Sequence, residues 1–303
     1  MIVTGASVQG TAHLARGQGC QDAFKAVDLG GTAVLAVSDG AGSLDRSALG
    51  AHIAVDAACR LLAEGIPDAE GPPEAWTRWV AGRGRRVVEE YLRAAMGVLG
   101  AGSGVGAPGA GAPGTDAGAG AGVLGADTRA ADPGTFADTR ATHPGTLADT
   151  RADEPSTLAA TLTAAVVAPP WVAFVSLGDG FGTLLTRDDR CHLVLPPPAA
   201  PAPFLSSPGA ALRVRTFAVW EPDLAGVVLS TDGCAALALD HPAVHQLPPE
   251  AGPLPAAGFF LGLAATLREN HGDAEPLRRR LSGPEAGRTG DDLTVVCALV
   301  EGG

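Results

Sequence analysis

The chain has 303 residues, 46% of them hydrophobic, and a formal net charge of -12, which allows a sizeable core in one or two domains. An acidic surplus without clustered Lys and Arg argues against a general nucleic-acid-binding surface, and it repels an anionic substrate unless local cations hold it. Five scattered cysteines, Cys20, Cys59, Cys191, Cys234 and Cys297, form no C-x-x-C pair, which favours reduced thiols over a disulfide framework or a zinc site.

The first residues, MIVTGASVQG, lack a basic region leading into an apolar one. No uncharged apolar run reaches the roughly 20 residues that a membrane helix needs. The expectation is a soluble, cytoplasmic protein with no membrane partner, monomeric by default. Ile2 to Val8 and Thr32 to Ser38 read as strands. The second is nearly continuous apolar (TAVLAVS), as a strand buried on both faces should be. Ser47 to Glu64 follows an approximate helical pattern ended by Gly65 and Pro67, and another helix is expected from Pro73 or Glu74 to about Leu99.

From Gly100 to about Gly125 the chain is almost entirely Gly, Ala, Pro and Ser, too poor in apolar bulk to fold. ADTR then begins at Ala126, Ala137 and Ala148. Three short polar copies do not make a solenoid, and Pro133, Pro144 and Pro155 break any continuous helix. Residues 100–157 therefore read as a Gly/Ala/Pro-rich linker-like insert within a single domain spanning 1–303. Beyond it, LAATLTAAVVA, WVAFVSLG, GTLLT and CHLVL suggest an antiparallel meander. VRTFAVW, AGVVLST, a helix near Gly258 to Asn270 and the strand DLTVVCALV complete an α+β pattern with antiparallel sheets.

Three of these strands run into the same dipeptide: Asp39-Gly40, Asp179-Gly180 and Asp232-Gly233. The last strand is instead preceded by Asp291 and Asp292. Composition alone would give about as many Asp-Gly pairs, and such pairs ordinarily mark turns, so the information lies in their positions. In an antiparallel sheet the end of one strand lies beside the start of the next, so these acids can meet on one edge. Carboxylates gathered there repel one another unless a hard divalent cation sits among them, and Mg²⁺ and Mn²⁺ prefer carboxylate, carbonyl and water oxygens.

In this order, QDA (Gln21 to Ala23), VSDGAGS (Val37 to Ser43), SALGA (Ser47 to Ala51), ATL (Ala160 to Leu162), GDG (Gly178 to Gly180), STDG (Ser230 to Gly233) and GDDLTVV (Gly290 to Val296) resemble the metal-dependent protein phosphatases of type 2C, in their compact bacterial branch. The resemblance covers both ends of the chain and leaves out the insert. It implies a sandwich of two antiparallel β-sheets flanked by α-helices, with two Mn²⁺ or Mg²⁺ ions and a more labile third in a cleft at one edge. It implies that Asp39 bridges two ions, that the Gly40 carbonyl binds one of them, and that Asp232 and Asp291 complete the other shell. Asp22 would hold coordinated water and Asp179 would help bind the third ion, so Asp22, Asp39 and Asp232 are the expected catalytic set. The implied reaction is hydrolysis of phosphoserine or phosphothreonine on a protein by metal-activated water. The corresponding partner is a phosphoprotein, a serine/threonine kinase or its target.

The chain departs from the family pattern at three places. Gln21 stands where many relatives have Glu. Ala41 stands where some have a histidine that protonates the leaving group, so water is expected to supply that proton. Arg16 is the nearest candidate for a phosphate-binding arginine, one position out of register. His13 and His52 have no metal-ligand partner at useful spacing and read as structural. Cys234 follows Asp232-Gly233 without the P-loop-like cradle that a catalytic thiol needs. The rival reading is a catalytically weak, phosphatase-like scaffold that binds phosphoproteins. Gln21 and Ala41 support it, and the retained Asp39, Asp232 and Asp291 oppose it. A calcium loop (D-x-D-x-D-G) and a nucleotide P-loop are both absent from the sequence.

Overall fold

The computed structural model describes residues 1–41, 46–102, 155–198, 201–284 and 286–301. In chain order the elements are β1 Ile2–Val8, α1 Thr11–Ala15, β2 Ala23–Asp28, β3 Ala33–Ser38, α2 Ser47–Leu62 and α3 Pro73–Gly102. They continue with β4 Leu162–Ala168, β5 Trp171–Leu177, β6 Phe181–Thr186, β7 Cys191–Leu195, α4 Ala210–Arg213, β8 Arg215–Trp220 and β9 Leu224–Ser230. The C-terminal part holds α5 Ala235–Ala238, the short pair β10 Leu239–Asp240 and β11 Leu254–Pro255, α6 Ala257–Glu269, α7 Glu275–Leu281 and β12 Leu293–Leu299.

The two main sheets have strand orders β1-β12-β9-β6-β7 and β2-β3-β4-β5-β8, antiparallel throughout. They pack face to face, with α2 and α3 outside one and α6 and α7 outside the other. This is the α+β sandwich that the motif pattern implies. Its layering explains the apolar strands. In β3, Ala33, Leu35 and Val37 face the opposite sheet, while Val34 and Ala36 face the helices. In β12, Val296 and Ala298 point inward, while Val295, Cys297 and Leu299 meet the helical layer. Alternate side chains point to opposite faces, so a strand covered on both sides is apolar at every position.

The helical layer is built with helical periodicity. Trp76, Val80, Val87, Tyr91 and Ala95 are all buried along α3, at spacings that keep one stripe on the sheet. Trp76 stacks on Trp171 of β5 at 5.6 Å between ring centroids. On α2 the buried stripe is mostly small (Gly50, Ala51, Ala54, Ala58), and a Cβ on Gly50 would come within 2.0 Å of the Leu158 carbonyl oxygen.

The meander expected over β4 to β7 is corrected by the sheet topology. β4 and β5 pair in one sheet, and β6 and β7 pair in the other. The chain crosses between sheets at Gly178-Asp179-Gly180, where Gly178 takes φ +125°. Strands buried on both faces carry no period-two signature, so their pattern does not say which neighbour they pair with. The strand β2 and helix α7 also add to the expected elements. In β2, Lys25 and Asp28 interrupt the apolar run at a sheet edge, whereas α7 carries the usable signals of a first-turn proline and buried Leu277 and Leu281 four apart. Around the insert, α3 runs on to Gly102 and a 3₁₀ turn covers Pro155–Leu158. The three ADTR copies lie outside the described residues. No helix among the described residues is long and apolar enough to cross a membrane.

Candidate active site

Four acidic positions reach one end of the sandwich because both sheets present strand termini there. β3 delivers Asp39, the crossing after β5 delivers Asp179, β9 delivers Asp232, and Asp291 precedes β12. Carboxylate oxygens of Asp39, Asp179 and Asp232 all lie within 4.8 Å of one another. Asp291 is close enough to raise the affinity of all three for protons. Antiparallel pairing alone predicts these acids on a single sheet edge. The structure draws them from both sheets, across the mouth between the layers.

Small residues make this approach possible. In the three Asp-Gly pairs the glycine is required for space rather than for a left-handed backbone. A Cβ on Gly40 would meet the Ser47 backbone at 2.6 Å, one on Gly180 would meet Thr163 Oγ1 at 2.6 Å, and one on Gly233 would meet the Asp292 carbonyl at 2.0 Å. The ATL segment braces the first pair. The Thr161 hydroxyl accepts from the Asp39 N–H at 3.0 Å, and the Thr161 N–H donates to the Asp39 carbonyl at 2.8 Å. The sequence pattern contained Thr161 but gave it no task.

Asp22 is buried behind this cluster, where it accepts a 2.8 Å hydrogen bond from the Thr231 hydroxyl. That hydroxyl in turn accepts from the Thr294 N–H at 3.2 Å. Burial is the main cause of the raised pKa values of Asp22 and Asp39, and neighbouring carboxylates push both further. Asp232 is raised to about 6, again by burial first and then by Asp179 and Asp291. A buried like-charged cluster is costly in ionised form. Asp179 Oδ1 is moreover buried with no hydrogen-bond partner, which is uncommon for a buried polar atom. An all-oxygen donor set with an orphaned carboxylate atom fits a hard divalent cation.

The acidic doublet before β12 divides its labour. Asp291 is exposed and lines the cleft, whereas Asp292 is buried. Asp292 Oδ1 accepts from the Gly10 N–H and Oδ2 from the Gln21 N–H, both at 2.6 Å. Asp292 thereby ties the N-terminal segment to the last strand. Sequence reasoning grouped the two acids and missed this anchor. Strand alternation was the available signal, since neighbouring positions face opposite ways.

The anchored segment forms one wall of a cavity of about 310 Å³, lined by Ala12, His13, Arg16, Asp39, Gly40, Thr289, Gly290 and Asp291. Arg16 therefore does reach the cleft mouth, in spite of its register. His52 is exposed on α2, away from these lining residues, and Cys234 is buried with its thiol directed at the Thr294 carbonyl. The side-chain oxygen of Gln21 is buried without a partner.

The raised carboxylates make a pH prediction for the metal-free protein. A carboxylate whose pKa rises on folding binds more protons in the folded than in the unfolded state. Its contribution to stability is therefore lost as pH climbs from the unfolded value of 3.8 through the folded one, about 6 for Asp232. Adding Mn²⁺ should thus raise the melting temperature more at pH 7.5 than at pH 5, because protons and the cation compete for the same oxygens. Thermal melts with and without Mn²⁺ at both pH values check this, and an equal gain at each would count against it.

A family model described as Protein phosphatase 2C matches residues 9–281. The chain belongs to the protein phosphatase 2C family. Among solved structures it is similar to a bacterial serine phosphatase at 10% identity and a TM-score of 0.54, covering 100% of this chain and 99% of that one. It is also similar to the serine/threonine phosphatase Stp1 from Staphylococcus aureus, at 11% identity and a TM-score of 0.51, covering 100% and 96%. At these identities the solved structures establish the fold. No curated protein matches the sequence.

Proposed function

We propose that this chain is a Mn²⁺- or Mg²⁺-dependent protein serine/threonine phosphatase. The observation that carries this reading is the meeting of Asp39, Asp179 and Asp232 within 4.8 Å from three separate strand termini. Asp39, the Gly40 carbonyl, Asp232 and Asp291 would hold two ions, with Asp179 toward a third. Bound there, divalent ions would neutralise phosphate charge and lower the pKa of water.

The chain's own residues do the rest. The acidic cleft rejects a phosphate dianion by itself, so substrate binding is tied to cation loading. Arg16 at the mouth offers a guanidinium fork that matches two phosphate oxygens. Asp22, pinned by Thr231, orients the attacking water and accepts its proton. Attack is in line with the leaving oxygen, and no side chain forms a covalent phosphoenzyme. A phosphoserine or phosphothreonine segment on a kinase or its target is the substrate class. The scaffold alternative draws on Gln21 and Ala41, but all the principal acids are present.

The test is hydrolysis of p-nitrophenyl phosphate with Mn²⁺, after EDTA, and after Mn²⁺ is restored. Turnover should vanish with chelation and return with the metal. A folded protein that stays inactive over a range of Mn²⁺ concentrations would transfer the assignment to the phosphoprotein-binding scaffold.

A further inference from the structure

Ala41 has no proton to give a departing alkoxide, yet one wall of the cleft holds an imidazole. His13 is buried, lines the same cavity as Arg16, Asp39 and Asp291, and places Nδ1 3.0 Å from Asp292 Oδ2. Nδ1 lies beside that carboxylate oxygen without the alignment of a full hydrogen bond. We propose that His13, oriented by Asp292, is the general acid that protonates the leaving oxygen; this rests on the phosphatase reading above.

The position of Asp292 supports the assignment. Its two oxygens already accept the Gly10 and Gln21 N–H groups, so it is committed to backbone and to the ring and stands outside the carboxylate trio that meets at 4.8 Å. A buried carboxylate 3.0 Å from Nδ1 holds the ring's orientation. Nε2 is then the nitrogen left for a molecule in the cavity. The other lining groups serve less well. Arg16 does not give up its proton, Thr289 donates its hydroxyl to the Ala286 carbonyl, and Asp39 and Asp291 are needed as oxygen donors. The helix α1 fixes the ring over the cleft, because Ala12 N–H bonds to the Gly290 carbonyl at 2.9 Å.

The step balances. The water oxygen bonds to phosphorus as the ester P–O bond breaks, and the leaving oxygen takes the proton from His13 Nε2. The proton shed by the attacking water passes by way of Asp22 to solvent, and solvent reprotonates the imidazole. Ester plus water gives alcohol plus inorganic phosphate.

The experiment compares wild type with His13→Asn and His13→Gln on three substrates under saturating Mn²⁺: p-nitrophenyl phosphate, phenyl phosphate and a phosphothreonine peptide. Asn keeps an amide nitrogen near the Nδ1 position beside Asp292, and melting temperature and Mn²⁺ affinity are measured in parallel. p-Nitrophenolate leaves without a proton, whereas phenolate and especially a threonine alkoxide need one. Both variants should keep most p-nitrophenyl phosphate activity, lose more on phenyl phosphate, and lose roughly 100-fold on the peptide, the usual scale of general-acid catalysis. Equal losses on all three substrates, or no loss on any, would overturn the role of His13. A wild-type protein inactive on all three would instead remove the phosphatase reading, and this inference with it.

Discussion

Replacing Asp39 by Asn is expected to lower Mn²⁺-dependent hydrolysis on the order of 10³-fold, the scale of removing a transition-state-stabilising group, while making the metal-free protein more stable. Both effects have one cause. Asp39 is held far above the ordinary carboxylate range by burial and by Asp22, Asp232, Asp291 and Asp179 around it. That crowding is unfavourable without a cation and would favour the binding of one. An amide of the same shape removes the repulsion along with most of the affinity for a hard cation. Each kcal/mol recovered should raise the melting temperature by roughly 2–4 °C in a domain of this size. Kinetics with p-nitrophenyl phosphate and melts in EDTA read the two halves independently. A variant that loses activity and also melts lower without metal would show that Asp39 serves packing rather than charge.

Asp292→Ala should be the most destabilising change near the cleft. The substitution leaves the Gly10 and Gln21 N–H groups buried and unpaired, each a loss of about 1–3 kcal/mol. The sum, about 2–6 kcal/mol, corresponds to a fall of roughly 10 °C in melting temperature. Asp291→Ala, one residue away, removes an exposed carboxylate and should leave the metal-free melt nearly unchanged while weakening metal-dependent turnover. Thermal denaturation of the two variants in EDTA separates the buried anchor from the proposed metal ligand. Similar melts would mean that Asp292 does not hold the N-terminal segment.

These contrasts mark the limits of the sequence. The apolar runs of β3, β5, β9 and β12 were legible because strands covered on both faces admit little else. The motif series from Gln21 to Val296 carried the family and, with it, the sandwich. Helix α2 announced itself through its helical pattern and the closing Gly65 and Pro67, and α3 and α6 were expected close to their observed bounds. Strand β2 did not, since its charged residues blur the alternation at a sheet edge.

What the residues determined by themselves was therefore the inventory: buried strands, flanking helices, and an acid at the end of each of several strands. Which sheet each strand joins was decided by tertiary packing, because β5 and β6 are equally apolar on both faces and only the crossing at Gly178-Asp179-Gly180 separates them. The division of Asp291 from Asp292 was decided the same way, since one oxygen pair met solvent and the other met two backbone N–H groups 271 and 282 residues away in sequence. His13 likewise became more than a lone histidine only when folding brought Asp292 to its ring. Side-chain chemistry is written locally, but the partner that gives a polar group its role comes from any point in the chain, and only the packed structure brings the two together.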